Sequence, residues 1–473
     1  MNFYLPNEGR VRHEAVVGKT GSGKTKYMLH RLAQQARAGG GAFIVDSKEE
    51  YDFRDELYSL CCTYNRAPSF RVVNINNAAE SNTYNPLLRG DAVAVASRFT
   101  DTVDVGNNPT AEHFRSMSNL ALTAALMPIK ALKHAYNPRD LYILLTNPTA
   151  MEYLLREAPQ GDARQSFEIW LESFRQYDAA TKRIKINTQQ MRNQIGGVIS
   201  RLFIYSVGEL GKVLNSYNPE VDLLHAIDNR QIVYFQLPVL DKSEAAIAFA
   251  KLFLSDLRST LAQMFRRGKS RLPRIPHEVW MDEFGSYANP LVAPIFEMAR
   301  SANVALIPMF QTFANLKRVS EDFADQLMGN VEIQTFLQLG DVNTAEWAAT
   351  VTGERLRKFT MESSGVNIGS ANKNLSFQFF HNYNRGRTES VTKREEYDYV
   401  VRPEEFTGLD IGEAFVFAKR ASQGWKLKFP MSEPAAIIPF KPLRCERAPR
   451  AGMNFAEKFD EHFSSADVDT RAA

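Results

Sequence analysis

Cysteine is scarce in this chain. Only three of the 473 residues are cysteines; Cys61 and Cys62 are adjacent, and Cys445 stands far away. Adjacent cysteines are poorly placed for a disulfide with each other, and three cysteines at these positions match no metal-ligand spacing. A disulfide scaffold is therefore excluded, and a reducing cytoplasm is the expected compartment.

Long apolar segments are also missing. The first residues, MNFYLPNEGRVRHE, contain no apolar signal-peptide core. No window reaches the roughly 18–20 consecutive apolar residues that a membrane-spanning helix needs. The longest apolar runs, such as residues 304–310, have the length of buried strands. These absences predict a soluble chain.

The net charge is small: 57 basic and 54 acidic residues give +3. This balance neither requires nor excludes a nucleic-acid partner, which would have to bind a local basic surface. Two basic runs, residues 265–274 and 182–185, are candidates for such a surface if they face the channel of a ring, but a solvated charged loop is the commoner reason for such runs. Residues 377–387 mix aromatics with arginine and are suited either to base stacking or to packing on a neighbouring subunit.

The chain length suggests two or three structural units. Strand-like and helix-like segments alternate up to about residue 105 and again from about 230, which predicts a parallel α/β sheet. Residues between these parts show sustained helical periodicity. We therefore predict a P-loop domain in two parts, 1–105 and 205–440, with an all-α domain inserted at 106–204. A long hairpin or loop is expected at 355–400, and a mobile tail at 441–473.

The strongest motif is a complete G-x-x-x-x-G-K-[ST] pattern that lies between a predicted strand and a predicted helix. Its glycines allow the backbone to approach phosphate closely, and the helix adds its positive N-terminal end. Lys24 is expected to bind the β- and γ-phosphates, and the Thr25 hydroxyl to bind Mg²⁺. The predicted nucleotide-binding residues are Gly18, Thr20, Gly21, Ser22, Gly23, Lys24 and Thr25.

A second motif, HEVWMDEF at 277–284, is an apolar strand that ends in acidic residues. The carboxyl end of a parallel strand is where ligands bind in α/β sheets. Asp282 is expected to hold Mg²⁺, and Glu283 to activate the attacking water as a base. Paired acids indicate ATP hydrolysis rather than nucleotide binding alone.

Two further residues flank the next predicted strand, 304–311. Gln311, at its end, is expected to contact the γ-phosphate or the attacking water, although a solvated strand end has the same appearance. Arg300, before the strand, is a candidate arginine finger that acts on a neighbouring subunit in a ring. Arg300 is explained equally well as a positive charge that stabilises the C-terminal end of a helix.

Beyond these motifs the chain resembles the coupling ATPases of type IV secretion and conjugation, the TraG/TraD-like and DotL-like members of the HerA/FtsK group. The resemblance covers most of residues 10–420. It rests on stretches that follow each other in the family's order: FIVDSKEEYDF with Asp46 and Lys48, TYNPL, MDEFGSYANP, ARSANVALIPMFQTFANL and VRPEEFTGLDIGEAFVFAK.

The resemblance implies a RecA-like P-loop ATPase that uses ATP and Mg²⁺, forms a hexameric ring, and receives DNA–relaxase complexes or protein effectors at an all-α domain. It also implies a cytoplasmic protein at the inner membrane. Such proteins usually carry an N-terminal anchor, which this sequence lacks, so membrane-anchoring partner subunits are expected. Two other functions fit the same motifs: a HerA-like DNA translocase or helicase, and a nucleotide-switched substrate adaptor.

Overall fold

The computed structural model describes residues 7–102, 109–179, 182–368, 385–419, 423–444 and 450–459. Its strands are β1 (Glu14–Val17), β2 (Ala42–Asp46), β3 (Phe70–Asn74), β4 (Arg175–Asp178), β5 (Arg183–Ile186), β6 (Ile232–Gln236), β7 (His277–Met281), β8 (Val304–Phe310), β9 (Ile333–Phe336), β10 (Glu354–Ile368), β11 (Arg385–Tyr399), β12 (Glu413–Ala418) and β13 (Gln423–Lys428).

The α-helices are α1 (Asn7–Arg10), α2 (Lys24–Arg37), α3 (Tyr51–Thr63), α4 (Ala92–Thr100), α5 (Pro109–Leu132), α6 (Pro138–Thr146), α7 (Pro148–Glu157), α8 (Asp162–Glu172), α9 (Thr188–Ser206), α10 (Gly208–Leu214), α11 (Leu223–Asp228), α12 (Ser243–Arg267), α13 (Ala293–Ala299), α14 (Phe313–Lys317), α15 (Glu321–Asn330), α16 (Val342–Thr352), α17 (Pro403–Thr407) and α18 (Phe455–Phe459). None of these described helices is both long enough and apolar enough to cross a membrane.

A nine-stranded sheet forms the centre of the molecule, in the order β13-β12-β9-β1-β8-β7-β2-β6-β3. The seven strands from β9 to β3 are parallel, and β12 and β13 add an antiparallel edge. Strands β1, β2, β3, β6, β7, β8 and β9 are buried along their whole length. Such burial explains their continuous apolar sequences, because parallel strands are covered on both faces.

The strand order fixes where the motifs meet. Strand β8 lies between β1, which precedes the phosphate loop, and β7, which precedes Asp282. Strand β2 lies on the other side of β7. Since all four strands are parallel, the residues that follow them lie at one edge of the sheet, which we call the carboxyl edge.

The region between β3 and β6 contains helices α4 to α11, but it is not purely helical. Strands β4 and β5 pair antiparallel within it, with Tyr177 opposite Ile184, so the prediction of an all-α insertion needs this correction. The pairing explains the alternation of RIKI, which a helical reading overlooked. One buried ion pair, Arg98 to Asp256 at 2.9 Å, ties α4 to α12 of the sheet layer.

Strands β10 and β11 form the hairpin that the sequence predicted at 355–400. Their register runs from Glu354 opposite Tyr399 to Ile368 opposite Arg385. Most of the predicted aromatic and arginine-rich stretch, up to residue 384, lies outside the described residues.

The prediction of a mobile tail from residue 441 is wrong for its described parts. Asn82 donates to the carbonyl of Leu443 at 3.0 Å, and Gly452 pairs with Ala135. Met453 and Phe455 are buried, and α18 packs against α6 and α7. The chain docks here because these two apolar side chains are removed from water. The polar composition of the tail as a whole concealed their role in the sequence.

Candidate nucleotide site

The phosphate loop, residues 18–23, connects β1 to α2 and is anchored to the end of β8 and to the segment that follows β9. The amide of Gly18 donates to the carbonyl of Phe310 at 3.2 Å, and that of Lys19 to the carbonyl of Gln338 at 2.9 Å. Gly23 precedes α2 with φ +97°, a left-handed conformation that favours glycine. A Cβ on Gly18 would lie 2.6 Å from the hydroxyl of Ser22. The close wrapping of this loop therefore depends on both glycines.

Lys24 lies buried at the start of α2. Its ammonium donates to the carbonyl of Gly18 at 2.5 Å and to that of Lys19 at 3.2 Å. Burial lowers the pKa of Lys24, while the negative charges of Glu283 and Asp282 raise it. The ammonium and the two acids are thus close enough to interact.

The other loop residues differ in their exposure. Thr20 and Gly21 are exposed at the tip of the loop, and Thr25 is half-buried in the first turn of α2. Ser22 is fully buried, and its hydroxyl has no hydrogen-bond partner among the described residues. The loop thus presents both exposed backbone and a buried, unsatisfied hydroxyl.

Asp282 and Glu283 follow β7 at the carboxyl edge. The amide of Asp282 donates to the carbonyl of Val45, and Tyr287 donates its hydroxyl to the carbonyl of Asp282. Oδ1 of Asp282 is buried and has no hydrogen-bond partner in the described part of the chain. Glu283 has φ +47°, a strained conformation for a non-glycine residue and one that is frequent at functional sites.

Gln311 reaches this site from β8. Its Nε2 donates to Oε1 of Glu283 at 2.8 Å. The structure therefore places Gln311, Glu283, Asp282 and Lys24 together, although residues 24 and 311 lie far apart in the sequence.

Lys48 is a further site residue to which the sequence motifs assigned no role. Its ammonium lies 3.2 Å from Oδ2 of Asp282 and 4.0 Å from Oε1 of Glu283. Burial lowers the pKa of Lys48, but the nearby carboxylates, Asp282 first, outweigh it and leave this pKa raised. The sequence did contain one indication that Lys48 belongs to the site. Lys48 lies two residues after a buried strand, at the same edge of the sheet as the other strand ends.

Asp46 holds the turn that carries Lys48. Its carboxylate accepts the amides of Lys48 at 3.0 Å and Glu50 at 3.1 Å, and also the hydroxyl of Tyr234. Burial raises the pKa of Asp46 to about 6, although these hydrogen bonds oppose the shift. The position of Lys48 is therefore set by a buried acid rather than by a flexible loop.

Arg300 lies at the opposite edge of the sheet. It is exposed and precedes β8, whereas Gln311 follows that strand. Seven strand residues separate the two ends, a distance of roughly 23 Å at the usual rise of a strand. Arg300 therefore takes no part in the site of its own chain.

The residues at the carboxyl edge fit a nucleotide with a divalent cation. Oδ1 of Asp282 and the hydroxyl of Ser22 are buried oxygens without a hydrogen-bond partner among the described residues. They lie beside a loop in which a Cβ on Gly18 would collide with Ser22. No group of three or more histidine, cysteine or acidic side chains in the described ranges is arranged to hold a metal by itself. A cation here would be bound jointly by protein side chains, phosphate oxygens and water molecules, which is how proteins usually bind Mg²⁺.

Comparisons with known proteins agree with this geometry. Residues 276–410 match the family model described as the TraM recognition site of TraD and TraG. The type 4 coupling protein DotL of Legionella pneumophila is 21% identical over 448 residues, covering 83% of this chain but only 56% of that protein.

Solved structures of a conjugative coupling protein share the fold. TrwB without its first 70 residues superposes with a TM-score of 0.63 at 16% identity, covering 93% of this chain and 89% of that one. TrwB in complex with ADP and Mg²⁺ gives 0.62 at 15% identity, with 93% and 90% covered. The predicted resemblance to type IV coupling proteins and the predicted RecA-like α/β fold with a helical region are thereby confirmed.

Proposed function

We propose that this chain is an ATPase that couples ATP hydrolysis to the recruitment and movement of substrates in a type IV secretion or conjugation system. The observation that carries the proposal is the convergence of Lys24, Asp282, Glu283 and Gln311 at one edge of the sheet. The similarity to DotL and TrwB supports the coupling role.

Each site residue has a role that follows from its position. The backbone of residues 18–23 and the ammonium of Lys24 bind the phosphates, and Thr25 and Asp282 hold the cation. Bound Mg²⁺ supplies positive charge to the phosphate oxygens. The carboxylate of Glu283 accepts a proton from the attacking water, and the amide of Gln311 orients that carboxylate through the 2.8 Å hydrogen bond.

The hydrogen bond between Gln311 and Glu283 also favours turnover over a nucleotide switch. A base that is held in one orientation is positioned for proton transfer. A protein that only switches between nucleotide-bound states has little need of such a base. The substrate-adaptor alternative is therefore the weaker one. The HerA-like translocase alternative shares the same site and differs only in its partners.

The proposal extends to assembly and cargo. A homohexameric ring would bring Arg300 of one subunit to the phosphates bound by the next, a position that it does not reach within its own chain. Secretion-apparatus or membrane-anchoring subunits would hold the ring at the inner membrane. The cargo would be DNA–relaxase complexes, protein effectors or both.

ATP hydrolysis by the wild type and by Glu283→Gln tests the proposal, with and without single- and double-stranded DNA, while the mass in solution is recorded. We expect wild-type hydrolysis to rise with DNA or with ring assembly. Glu283→Gln should abolish hydrolysis but leave nucleotide binding intact. Lys24→Ala is the companion variant, in which binding itself should weaken at least about tenfold. Tight nucleotide binding by the wild type without turnover under any of these conditions would instead indicate an adaptor.

A further inference from the structure

A basic cavity lies at the edge of the sheet opposite the nucleotide site. Its volume is about 870 Å³, and it opens between the end of α11 and the loop that joins α12 to β7. Four arginines line it: Arg230, Arg267, Arg271 and Arg274. We call it the arginine cavity. Three of its arginines belong to the basic run at 265–274, but Arg230 joins them only through the fold.

The positive charge of the arginine cavity is largely unneutralised. Arg267 pairs with Asp228 at 2.6 Å. Arg230, Arg271 and Arg274 are exposed and form no ion pair with any residue that the structure describes. Like charges held close together repel one another, so this cluster is suited to an anionic partner.

Apolar side chains share the cavity with the arginines. Ile227, Leu272, Pro273 and Ile275 line it, and Asp228, the partner of Arg267, completes the lining. Phe265, 38% exposed, is the first residue of the run and lies in the last turn of α12. Guanidinium groups beside apolar surface and an exposed aromatic ring match the boundary between lipid headgroups and acyl chains.

Two arginines of the cavity lie just before parallel strands of the sheet. Arg274 precedes β7 and Arg230 precedes β6. Parallel strands begin at one edge, and β7 and β6 have only β2 between them, so these two strand starts lie roughly 10 Å apart, given the usual spacing of neighbouring strands. Arginines that lie this close at one edge can contact a flat anionic surface together.

We propose that the arginine cavity binds the phosphate groups of an anionic phospholipid surface. Attachment at this edge leaves the phosphate loop, at the carboxyl edge, pointing away from the membrane. A single-stranded nucleic acid fits less well, because Phe265 is the one exposed aromatic ring of the described basic run and none lines the cavity. The proposal stands independently of ATP hydrolysis.

Co-sedimentation of the full chain with vesicles tests it, using phosphatidylcholine alone and phosphatidylcholine with roughly 30 mol% phosphatidylglycerol. We expect binding to the anionic vesicles only, weakening as salt rises. The double variant Arg271→Glu, Arg274→Glu should bind them roughly 30-fold or more weakly, since each arginine near an anionic surface contributes severalfold. Both side chains are exposed and unpaired, so the variant should fold, which a thermal melt checks.

The matched control carries the same charge change elsewhere: Arg192→Glu with Arg318→Glu, two exposed arginines away from this edge. It should bind anionic vesicles as the wild type does. Equal loss in both double variants, or no wild-type binding to anionic vesicles, would overturn the proposal. So would a single-stranded oligonucleotide whose binding is lost in Arg271→Glu, Arg274→Glu while vesicle binding persists, because the cavity would then be a nucleic-acid site.

Discussion

The ammonium of Lys48 lies 3.2 Å from Oδ2 of Asp282, although the inserted domain lies between these two residues in the sequence. The contact exists because β2 and β7 are neighbours in the sheet and both end at its carboxyl edge. Lys48 also lies 4.0 Å from Glu283. One cation thus contacts the two acids to which we assign metal binding and proton transfer.

Replacing Lys48 by methionine should lower kcat by about 10- to 100-fold, because the two carboxylates lose the charge that fixes their orientation. Nucleotide affinity should change little, since the phosphate loop is untouched. Steady-state hydrolysis and nucleotide titration separate the two effects. Lys26→Met is the control, because Lys26 pairs with Glu56 at 2.8 Å outside the site. Equal losses in both variants would contradict a specific role of Lys48.

Replacing Gln311 by alanine should lower kcat by about 10- to 100-fold with unchanged nucleotide binding, because Glu283 loses the donor that orients it. Gln326→Ala is the matched control, since Gln326 donates to Glu297 at 3.3 Å on an exposed surface. Single-turnover hydrolysis is the measurement. An unchanged rate in Gln311→Ala would show that the hydrogen bond to Glu283 has no part in turnover.

Arg300 can be tested by mixing inactive variants. If it acts on the site of a neighbouring subunit, Arg300→Ala and Glu283→Gln should each be inactive, but mixed rings should recover part of the ATPase activity. In such rings, some interfaces combine an intact Glu283 with an intact Arg300. Activity is followed across mixing ratios. An active Arg300→Ala, or a mixture no more active than its components, would reject the trans role.

Asp140 should make stability depend on pH. Burial raises its pKa to about 6 from 3.8, although its carboxylate accepts the amide of Phe455 at 3.0 Å and the hydroxyl of Tyr217 at 3.2 Å. The folded state therefore binds this proton more tightly than the unfolded state does. Raising the pH from 4 to 7 should then reduce the free energy of unfolding through this group by at most about 3 kcal/mol.

Denaturant unfolding of wild type and Asp140→Asn across that pH range measures the effect. The wild type should lose stability relative to the variant as pH rises, because asparagine does not titrate. Asp162→Asn, at an exposed first turn of α8, should follow the wild type. Parallel pH curves for wild type and Asp140→Asn would contradict the raised pKa.

The sequence predicted most of the sheet and the principal candidate residues. The strand ends at Gly18, Asp282 and Gln311 were readable because buried parallel strands are continuous apolar runs that stop at their functional residues. The β4–β5 pairing was missed because the alternation of RIKI covers only four residues, too few to distinguish a strand within a region of helical periodicity. The docked segment around Phe455 was missed because two apolar residues in a polar tail reveal no partner.

The sequence by itself determined the local chemistry: a phosphate loop that its glycines shape, and acids placed at the end of an apolar strand. Only the tertiary structure decided which distant groups meet. It brought Lys48 to Asp282, Gln311 to Glu283 and Arg230 to the basic run before β7, and it placed Arg300 away from its own nucleotide site. The physical reason is that loop geometry and strand burial depend on neighbours in sequence, whereas these contacts depend on strand order.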